Sequence, residues 1–96
     1  MTVRNTKAKG TRAEHRCMRL LEAAGYRCTR AAASLGLFDV IAIGPVDVRL
    51  VQVKAGTARL SGIEREEIAG FKTAGNVSKE YWRYPDRVRT PLIEVL

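Results

Sequence analysis

The sequence predicts an α/β domain in which a mixed central β-sheet is flanked by helices, and three observations support this. Two stretches rich in β-branched residues, 38–43 and 48–54, are separated by a Gly-Pro-Val-Asp turn and therefore form a β-hairpin. A helical pattern precedes the hairpin and another follows it, each beginning with a capping-box sequence. The resulting order, αβββαβ with a short further strand, uses both a hairpin and a helical crossover, which favours a sheet with antiparallel and parallel pairs.

The first helix is predicted to begin at Thr11, which forms a capping box with Glu14 three residues later. Its buried stripe consists of small and apolar residues at helical spacing, namely Ala13, Cys17, Leu20, Leu21 and Ala24. Gly25 is expected to end the helix in a left-handed conformation. Residues 1–10 have no such period and are interpreted as a basic flexible arm, so that residues 11–96 form a single domain.

The other elements are predicted from local signals in the same way. In chain order they are a strand over 26–30, a small-residue connector over 31–36, the hairpin, a helix from Ser61 to about Thr73, a strand over 77–84 and a short edge strand over 92–96. Ser61 and Glu64 form the second capping box, and Gly75 with Asn76 separates the second helix from the strand after it.

Length and composition exclude several classes of protein. A chain of 96 residues with 46% hydrophobic content suits one small globular domain, and no apolar run reaches the roughly 18 residues that a membrane span needs. The basic N-terminal residues are not followed by an apolar segment, which argues against a secretory signal. Cys17 and Cys28 form no CxxC or Cys/His pattern, so zinc binding is not expected, and both are interpreted as reduced thiols of a cytoplasmic protein.

The net charge of +7 is concentrated at one end of the chain. Residues 1–30 carry eight Lys and Arg against two Glu, whereas residues 31–96 carry nine Lys and Arg against eight Asp and Glu. A localised basic surface is typical of proteins that bind polyanions, so a nucleic acid is the expected partner. Charge alone does not separate DNA from RNA, and a basic face that only keeps the protein soluble is the alternative.

The hairpin brings chemically reactive residues to one end of an apolar segment. Folding it symmetrically about its turn pairs Ile43 with Val48 and places Asp39 opposite Gln52. Lys54 follows two positions after Gln52 and projects from the same face of the strand. A carboxylate and an ammonium beside a core strand must be paired, hydrated or bound to a metal. Two interpretations follow, a structural Asp–Lys ion pair and a metal site with a lysine beside it.

Several other residues allow both a structural and a functional interpretation. Glu14 serves as a capping residue or faces the sheet, and Ser34 lies in a connector that either packs tightly or approaches a nucleic-acid backbone. His15 follows Glu14 and is more typical of a surface position than of a catalyst. The strand over 77–84 contains three aromatic residues, Tyr81, Trp82 and Tyr84. For these we favour a place in the core or a dimer interface over base stacking.

Together these residues resemble the PD-(D/E)xK nuclease superfamily, and within it the small archaeal-type Holliday junction resolvases and their phage relatives. The resemblance covers about the first 75 residues and has the order and spacing of all their elements. It runs through Lys9-Gly10, Glu14, Gly25-Tyr26, Arg30, Ser34, Phe38-Asp39-Val40 and Val51-Gln52-Val53-Lys54. The resemblance implies a restriction-endonuclease-like core of αβββαβ order.

The resemblance also implies roles for individual residues. Glu14, Asp39, Gln52 and the backbone carbonyl of Val53 are expected to bind Mg²⁺, with Mn²⁺ as an alternative, and Lys54 is expected to position or polarise the attacking water. The catalytic residues so implied are Glu14, Asp39, Gln52, Lys54 and Ser34. Gln52 stands where the family usually has Glu, so one charge is missing and weaker metal binding is expected.

The implied activity is that of a metal-dependent DNA endonuclease of recombination and repair, acting on branched four-way junctions in a prokaryotic or phage-encoded setting. Water attacks the phosphodiester and leaves a 5′-phosphate, and two symmetric cuts require a homodimer, whose apolar surface is expected in the C-terminal half. The expected DNA-binding residues are Arg4, Lys7, Lys9, Arg12, Arg16, Arg30 and Ser34. The alternatives are a DNA-binding module made silent by Gln52, or a nickase, mismatch nuclease or restriction-like nuclease.

Overall fold

The computed structural model describes residues 6–31 and 36–96. Its elements in chain order are helix α1 (Thr6–Ala23), strands β1 (Arg27–Arg30), β2 (Val40–Ile43) and β3 (Val48–Ala55), helix α2 (Gly62–Gly70), and strands β4 (Val77–Tyr84) and β5 (Leu92–Val95). The strands form one sheet in the order β1-β2-β3-β4-β5, in which β3 and β4 are parallel and the other neighbours are antiparallel. The predicted α/β class with a mixed sheet is confirmed. In the described residues, no helix is both long and apolar enough for a bilayer crossing.

The β2–β3 hairpin has the predicted register over its regular part. Ile43 pairs with Val48, and the pairing continues to Val40 and Val51. In the connection, Gly44 N–H donates to the Asp47 carbonyl at 2.8 Å. A Cβ on Gly44 would lie 2.8 Å from the ring of Tyr26, so only glycine allows that ring to approach the turn.

Helix α1 begins five residues earlier than the sequence predicts. Thr11 lies inside the helix, so the capping box at this position and the assignment of residues 6–10 to a flexible arm are wrong. Lysine and alanine in this stretch favour a helix, and Lys9 Nζ donates to Asp86 Oδ1 at 2.7 Å, which fixes the first turns of α1 against the loop after β4. The end of α1 is as predicted, because Gly25 has a φ of +100° and the N–H of Tyr26 donates to the Leu21 carbonyl at 3.0 Å.

The two faces of the sheet carry separate hydrophobic clusters. On the α1 side, the buried residues are Ala13, Cys17, Leu21, Val40, Ala42, Val51, Val53, Trp82 and Tyr84. On the α2 side, they are Phe38, Leu60, Ile68 and Tyr81. Tyr81, Trp82 and Tyr84 are thus buried in the protein's own core, as we favoured, and none of them is exposed for base stacking or for a dimer surface. Since Val51 and Val53 face α1, the alternation of β3 directs Gln52 and Lys54 towards α2.

Helix α2 starts as predicted but is shorter. Ser61 Oγ accepts from the Glu64 N–H at 3.0 Å, and Glu64 Oε1 accepts from the Ser61 N–H at 3.0 Å, which completes the capping box. The helix ends at Gly70, before the predicted end near Thr73. The cap therefore fixes the Glu64 side chain relative to the start of α2.

Candidate active site

Asp39 directly precedes β2 and leaves the regular ladder at the end of the sheet. Its backbone N–H donates to the Val51 carbonyl at 2.8 Å, and its carboxylate Oδ2 accepts from the Val53 N–H at 2.9 Å. The predicted direct pairing of Asp39 with Gln52 is therefore wrong. A carboxylate, rather than a backbone carbonyl, takes the Val53 N–H, and the ladder stops at Val40 and Val51.

The environment of Asp39 disfavours its charged form. Burial raises the pKa of the Asp39 carboxyl, and the bond from Val53 N–H opposes this. The charge on Glu14 raises the pKa further, Lys54 lowers it, and Glu64 raises it. The carboxylate thus lies among charges of both signs, and a positive charge beside it would stabilise the ionised form.

Gln52 is buried, with 6% of its surface exposed, on the side of β3 that faces α2. In residues 6–31 and 36–96, no donor forms a hydrogen bond with its buried Oε1. The buried hydroxyl of Tyr84, on the α1 side of the sheet, likewise has no hydrogen-bond partner in these residues. A buried acceptor without a partner costs about 1–3 kcal/mol, so the amide oxygen of Gln52 is suited to an additional cation or donor.

Lys54 forms an ion pair, but not the predicted one. Its Nζ lies 3.2 Å from Oε2 of Glu64 in the first turn of α2. The structural Asp39–Lys54 ion pair, one of the two interpretations from the sequence, is therefore replaced by a Lys54–Glu64 pair. The sequence indicates only a capping role for Glu64, and the Ser61-x-x-Glu64 pattern gives no sign that the second carboxylate oxygen reaches a neighbouring strand.

Glu14 faces the sheet rather than capping the helix. Its Oε1 accepts from Arg30 Nε of β1 at 2.9 Å, and it acts electrostatically on Asp39. Glu14 therefore approaches the end of the sheet from the α1 side, whereas Gln52 and Lys54 project towards α2. Asp39 stands next to both groups, bonded to the backbone of β3 between Gln52 and Lys54.

No three His, Cys, Asp or Glu side chains in the described part of the chain are grouped in a way that suits a metal ion. The predicted ligand set contains only two carboxylates, Glu14 and Asp39, and adds the amide oxygen of Gln52 and the carbonyl of Val53. The structure brings Asp39, Val53 and Lys54 together, with Glu14 and Gln52 on the two sides. The ligand and catalytic roles of these residues stay predictions.

The basic residues expected to bind DNA fall into two groups. Lys7 and Arg12 are exposed on α1, whereas Lys9, Arg16 and Arg30 are engaged with the protein itself. Lys9 binds Asp86, Arg30 binds Glu14, and Arg16 Nη2 donates to the carbonyl of Arg89 at 2.6 Å. Two further expected site residues, Arg4 and Ser34, lie outside the described residues.

Two adjoining cavities connect the Lys54 end of the sheet with the basic side of α1. One, of about 270 Å³, is lined by Lys54, Val53, Gly56 and Lys9, among others. The next, of about 280 Å³, shares Lys9 and Gly56 and adds Arg12, Arg16 and Arg87. Gly56 has a φ of +65°, and a Cβ there would lie 3.1 Å from Lys9 Nζ. The lining of the two cavities is therefore mainly basic, with Asp86 as its acidic residue, paired with Lys9.

Comparison with known proteins supports the fold assigned from the sequence. Neither a comparison with protein-family models nor one with curated proteins gives a match. Among solved structures, the chain is similar to Hjc of Archaeoglobus fulgidus, a Holliday junction resolvase from an archaeal hyperthermophile. The TM-score is 0.68 at 22% sequence identity, and the match covers 92% of this chain and 71% of Hjc. At this identity the likeness shows a shared fold, and the predicted resemblance to the resolvase-type nuclease fold is confirmed at that level.

Proposed function

We propose that this protein is a metal-dependent DNA endonuclease that cleaves branched DNA in the manner of a Holliday junction resolvase. One observation carries the proposal. On a fold shared with Hjc, the Asp39 carboxylate accepts from the Val53 N–H and is acted on by the charge of the next residue, Lys54, beside a cavity that Lys54 and Lys9 help to line. Acid and lysine at this place suit the hydrolysis of a phosphodiester, since the substrate is an anion and the reaction develops further negative charge.

The chemistry of the donor set fits Mg²⁺, with Mn²⁺ as an alternative, and Glu14 and Gln52 reach Asp39 from opposite faces of the sheet. Asp39, Glu14, Gln52 Oε1 and the Val53 carbonyl offer only oxygen atoms, which hard cations prefer, and the Gln52 oxygen is buried without another partner in the described residues. A bound cation supplies charge stabilisation at the scissile phosphate and lowers the pKa of a bound water. Asp39 is held by Val53 N–H in one orientation, so its carboxylate is positioned before any ligand arrives.

Lys54 and the basic residues that line the two cavities account for substrate binding. Lys54 is among the residues that line the first cavity, and its ammonium contributes a positive charge to the site of the scissile phosphate. Arg12 lines the neighbouring cavity and is exposed to attract phosphate, whereas Lys9 and Arg16 in the same lining are bonded to Asp86 and Arg89. Contacts of this kind depend on the position of phosphates rather than on base sequence, which suits a nuclease selective for branched DNA.

A homodimer follows from the proposed reaction, because a junction is resolved by two symmetric cuts. The predicted aromatic surface in the C-terminal half cannot supply the interface, since those aromatic residues are buried. The edge strand β5 exposes Leu92, Ile93 and Val95 instead, at 51%, 48% and 69% of their surfaces. We place the dimer contact on β5, where paired edges would also satisfy exposed backbone groups.

The proposal is tested with a labelled four-way junction and a linear duplex of matched sequence. We expect symmetric nicks in the junction with Mg²⁺ or Mn²⁺, slower cleavage of the duplex, and none with EDTA. Equal cleavage of both substrates would favour a nickase or restriction-like nuclease. Cleavage in EDTA would contradict the metal dependence.

A DNA-binding module without catalysis is the second candidate, and two observations favour it. Gln52 contributes no charge, and Glu14 is already neutralised by Arg30 at 2.9 Å. For this candidate the same assay gives tight binding of the junction and no product with either cation.

A further inference from the structure

Each carboxylate oxygen of Glu64 accepts a hydrogen bond from a different residue. Oε1 accepts from the backbone N–H of Ser61 at 3.0 Å, which fixes the side chain at the start of α2. Oε2 accepts from Lys54 Nζ at 3.2 Å. The helix terminus therefore determines where the second oxygen lies, and that oxygen in turn determines where the lysine ammonium lies.

The Lys54–Glu64 pair lies in the same electrostatic environment as Asp39. Both residues act on the Asp39 carboxyl, Lys54 by lowering its pKa and Glu64 by raising it. The bonds from Ser61 and Lys54 lower the pKa of Glu64 itself, so Glu64 is ionised at neutral pH. Glu64 thus provides a fixed negative charge on the α2 side of the site. On this side of β3, the residue next to Lys54 is Gln52, which is neutral.

A lysine side chain has four rotatable bonds and loses considerable conformational entropy when it is held in one position. Lys54 is partly buried, with 21% of its side chain exposed, and Glu64 is 36% exposed. Without an anchor, the ammonium would sample several positions around the end of its side chain. Gln52 cannot provide a charged anchor, and Asp39 directs its Oδ2 to the Val53 N–H.

We propose that Glu64 is a positioning residue of the nuclease site, which holds the Lys54 ammonium beside Asp39 and supplies the negative charge that Gln52 lacks. This inference rests on the proposed function. Glu64 itself does not touch the scissile phosphate, and it acts through Lys54. Its removal therefore affects the chemical step rather than the binding of DNA.

The variant Glu64→Gln isolates the charge from the helix cap. Glutamine at this position of a capping box still offers an oxygen to the Ser61 N–H, so α2 keeps its N-terminal bond. Glu66→Gln is the matched control, because it removes one carboxylate from the same helix at an exposed position two residues away, on another side of the helix. Glu64→Asp keeps the charge on a side chain shorter by one carbon.

On the four-way junction with Mg²⁺, we expect Glu64→Gln to lower kcat about ten- to hundredfold, as for other losses of positioning, with the Kd for the junction unchanged. Glu64→Asp restores part of kcat, and Glu66→Gln behaves as the wild type. An unchanged kcat for Glu64→Gln overturns the inference. A lower kcat accompanied by weaker binding of the junction and a lower Tm also overturns it, because that pattern indicates only a structural role.

A second readout needs neither metal nor DNA. The rate at which an amine-acylating reagent modifies Lys54 is followed by mass spectrometry, with the exposed Lys72 of the same chain as internal reference. We expect Glu64→Gln to raise the Lys54 rate relative to Lys72, and Glu66→Gln to leave it unchanged. An unchanged ratio in Glu64→Gln overturns the positioning role. If the wild type cleaves no DNA, the proposed function fails, and this ratio still decides whether Glu64 holds Lys54.

Discussion

The Oδ2 atom of Asp39 accepts a hydrogen bond from the backbone N–H of Val53 at 2.9 Å. This bond replaces a rung of the β2–β3 ladder by a contact between a side chain and the backbone. As a result, the carboxylate is fixed against the backbone of β3, one residue before Lys54.

Replacing Asp39 by Asn separates the charge of the site from its geometry. The amide oxygen of Asn still accepts from Val53 N–H, so we expect the fold to be retained, whereas cleavage is abolished because the anionic ligand is lost. Binding of the junction, measured by gel shift, stays within about twofold, because the phosphate contacts come from other residues. Persistent cleavage by Asp39→Asn would refute the site.

The raised pKa of the Asp39 carboxyl predicts how stability changes with pH in the absence of metal. Because the folded protein holds this proton more tightly than the unfolded chain, the contribution of Asp39 is most favourable below its ordinary pKa of 3.8 and declines as pH rises through the folded value. Asn does not titrate. In EDTA, the Tm of Asp39→Asn relative to the wild type should therefore increase between about pH 4 and pH 7. A constant difference across this range would contradict the raised pKa.

Local signals made much of the fold predictable. The hairpin register, the left-handed Gly25 and the Ser61 cap each depend on residues only a few positions apart, and all three are confirmed. The predicted start of α1 is wrong because the observed start depends on a contact between residues that are distant in the sequence. A capping-box pattern at Thr11 was outweighed by the Lys9–Asp86 contact, which joins residues far apart in the chain.

The sequence predicts the approximate location of Asp39 and Lys54 but not the contacts that they make. Asp39 and Lys54 do lie at one end of the sheet, as the hairpin required. The sequence could not show that Asp39 would leave the ladder to accept from Val53, nor that Lys54 would bind Glu64 rather than Asp39. Both outcomes depend on where α2 packs, which a pattern within one strand does not determine.

A buried charge network on the α1 side of the sheet, around Glu80, should contribute strongly to stability. Arg49 donates to both oxygens of Glu80 at 2.7 Å, and Trp82 Nε1 and Ser78 Oγ donate to the same carboxylate at 2.8 Å. Glu80→Gln leaves Arg49 without its partner, so we expect a loss of about 3–5 kcal/mol in the free energy of unfolding, measured in urea. Glu66→Gln, an exposed change of the same kind, should cost little.

The Glu80 network also gives a test in acid. Burial favours the protonated form, but the bonds from Arg49, Trp82 and Ser78 outweigh it and lower the pKa of Glu80 below its ordinary value of 4.5. Its stabilising contribution is therefore complete above 4.5 and is lost as pH falls through the folded pKa. The stability difference between wild type and Glu80→Gln should shrink over this range, and a difference independent of pH would contradict the network's role.

Replacing Gln52 by Glu tests whether this position takes part in metal binding. In EDTA, a carboxylate at this buried position lacks a compensating charge, so we expect a lower Tm than in the wild type. Mg²⁺ should then raise the Tm of the variant more than that of the wild type, by preferential binding to the folded state, and cleavage at low Mg²⁺ should increase. An unchanged dependence on Mg²⁺ would show that residue 52 is not a ligand.

Arg16 and Arg12 should differ in their effects although both were expected to bind DNA. Arg16 Nη2 donates to the Arg89 carbonyl at 2.6 Å, and its guanidinium lies 4.7 Å from the centre of the Tyr84 ring, so it ties the loop after β4 to α1. Arg12 is exposed. We expect Arg16→Ala to cost about 1–2 kcal/mol of stability through the lost bond and ring contact. Arg12→Ala should leave the Tm unchanged and reduce the slope of log K against log salt by about one. If Arg16→Ala instead lowers only DNA affinity, the loop does not depend on this arginine, and its side chain is available to phosphate.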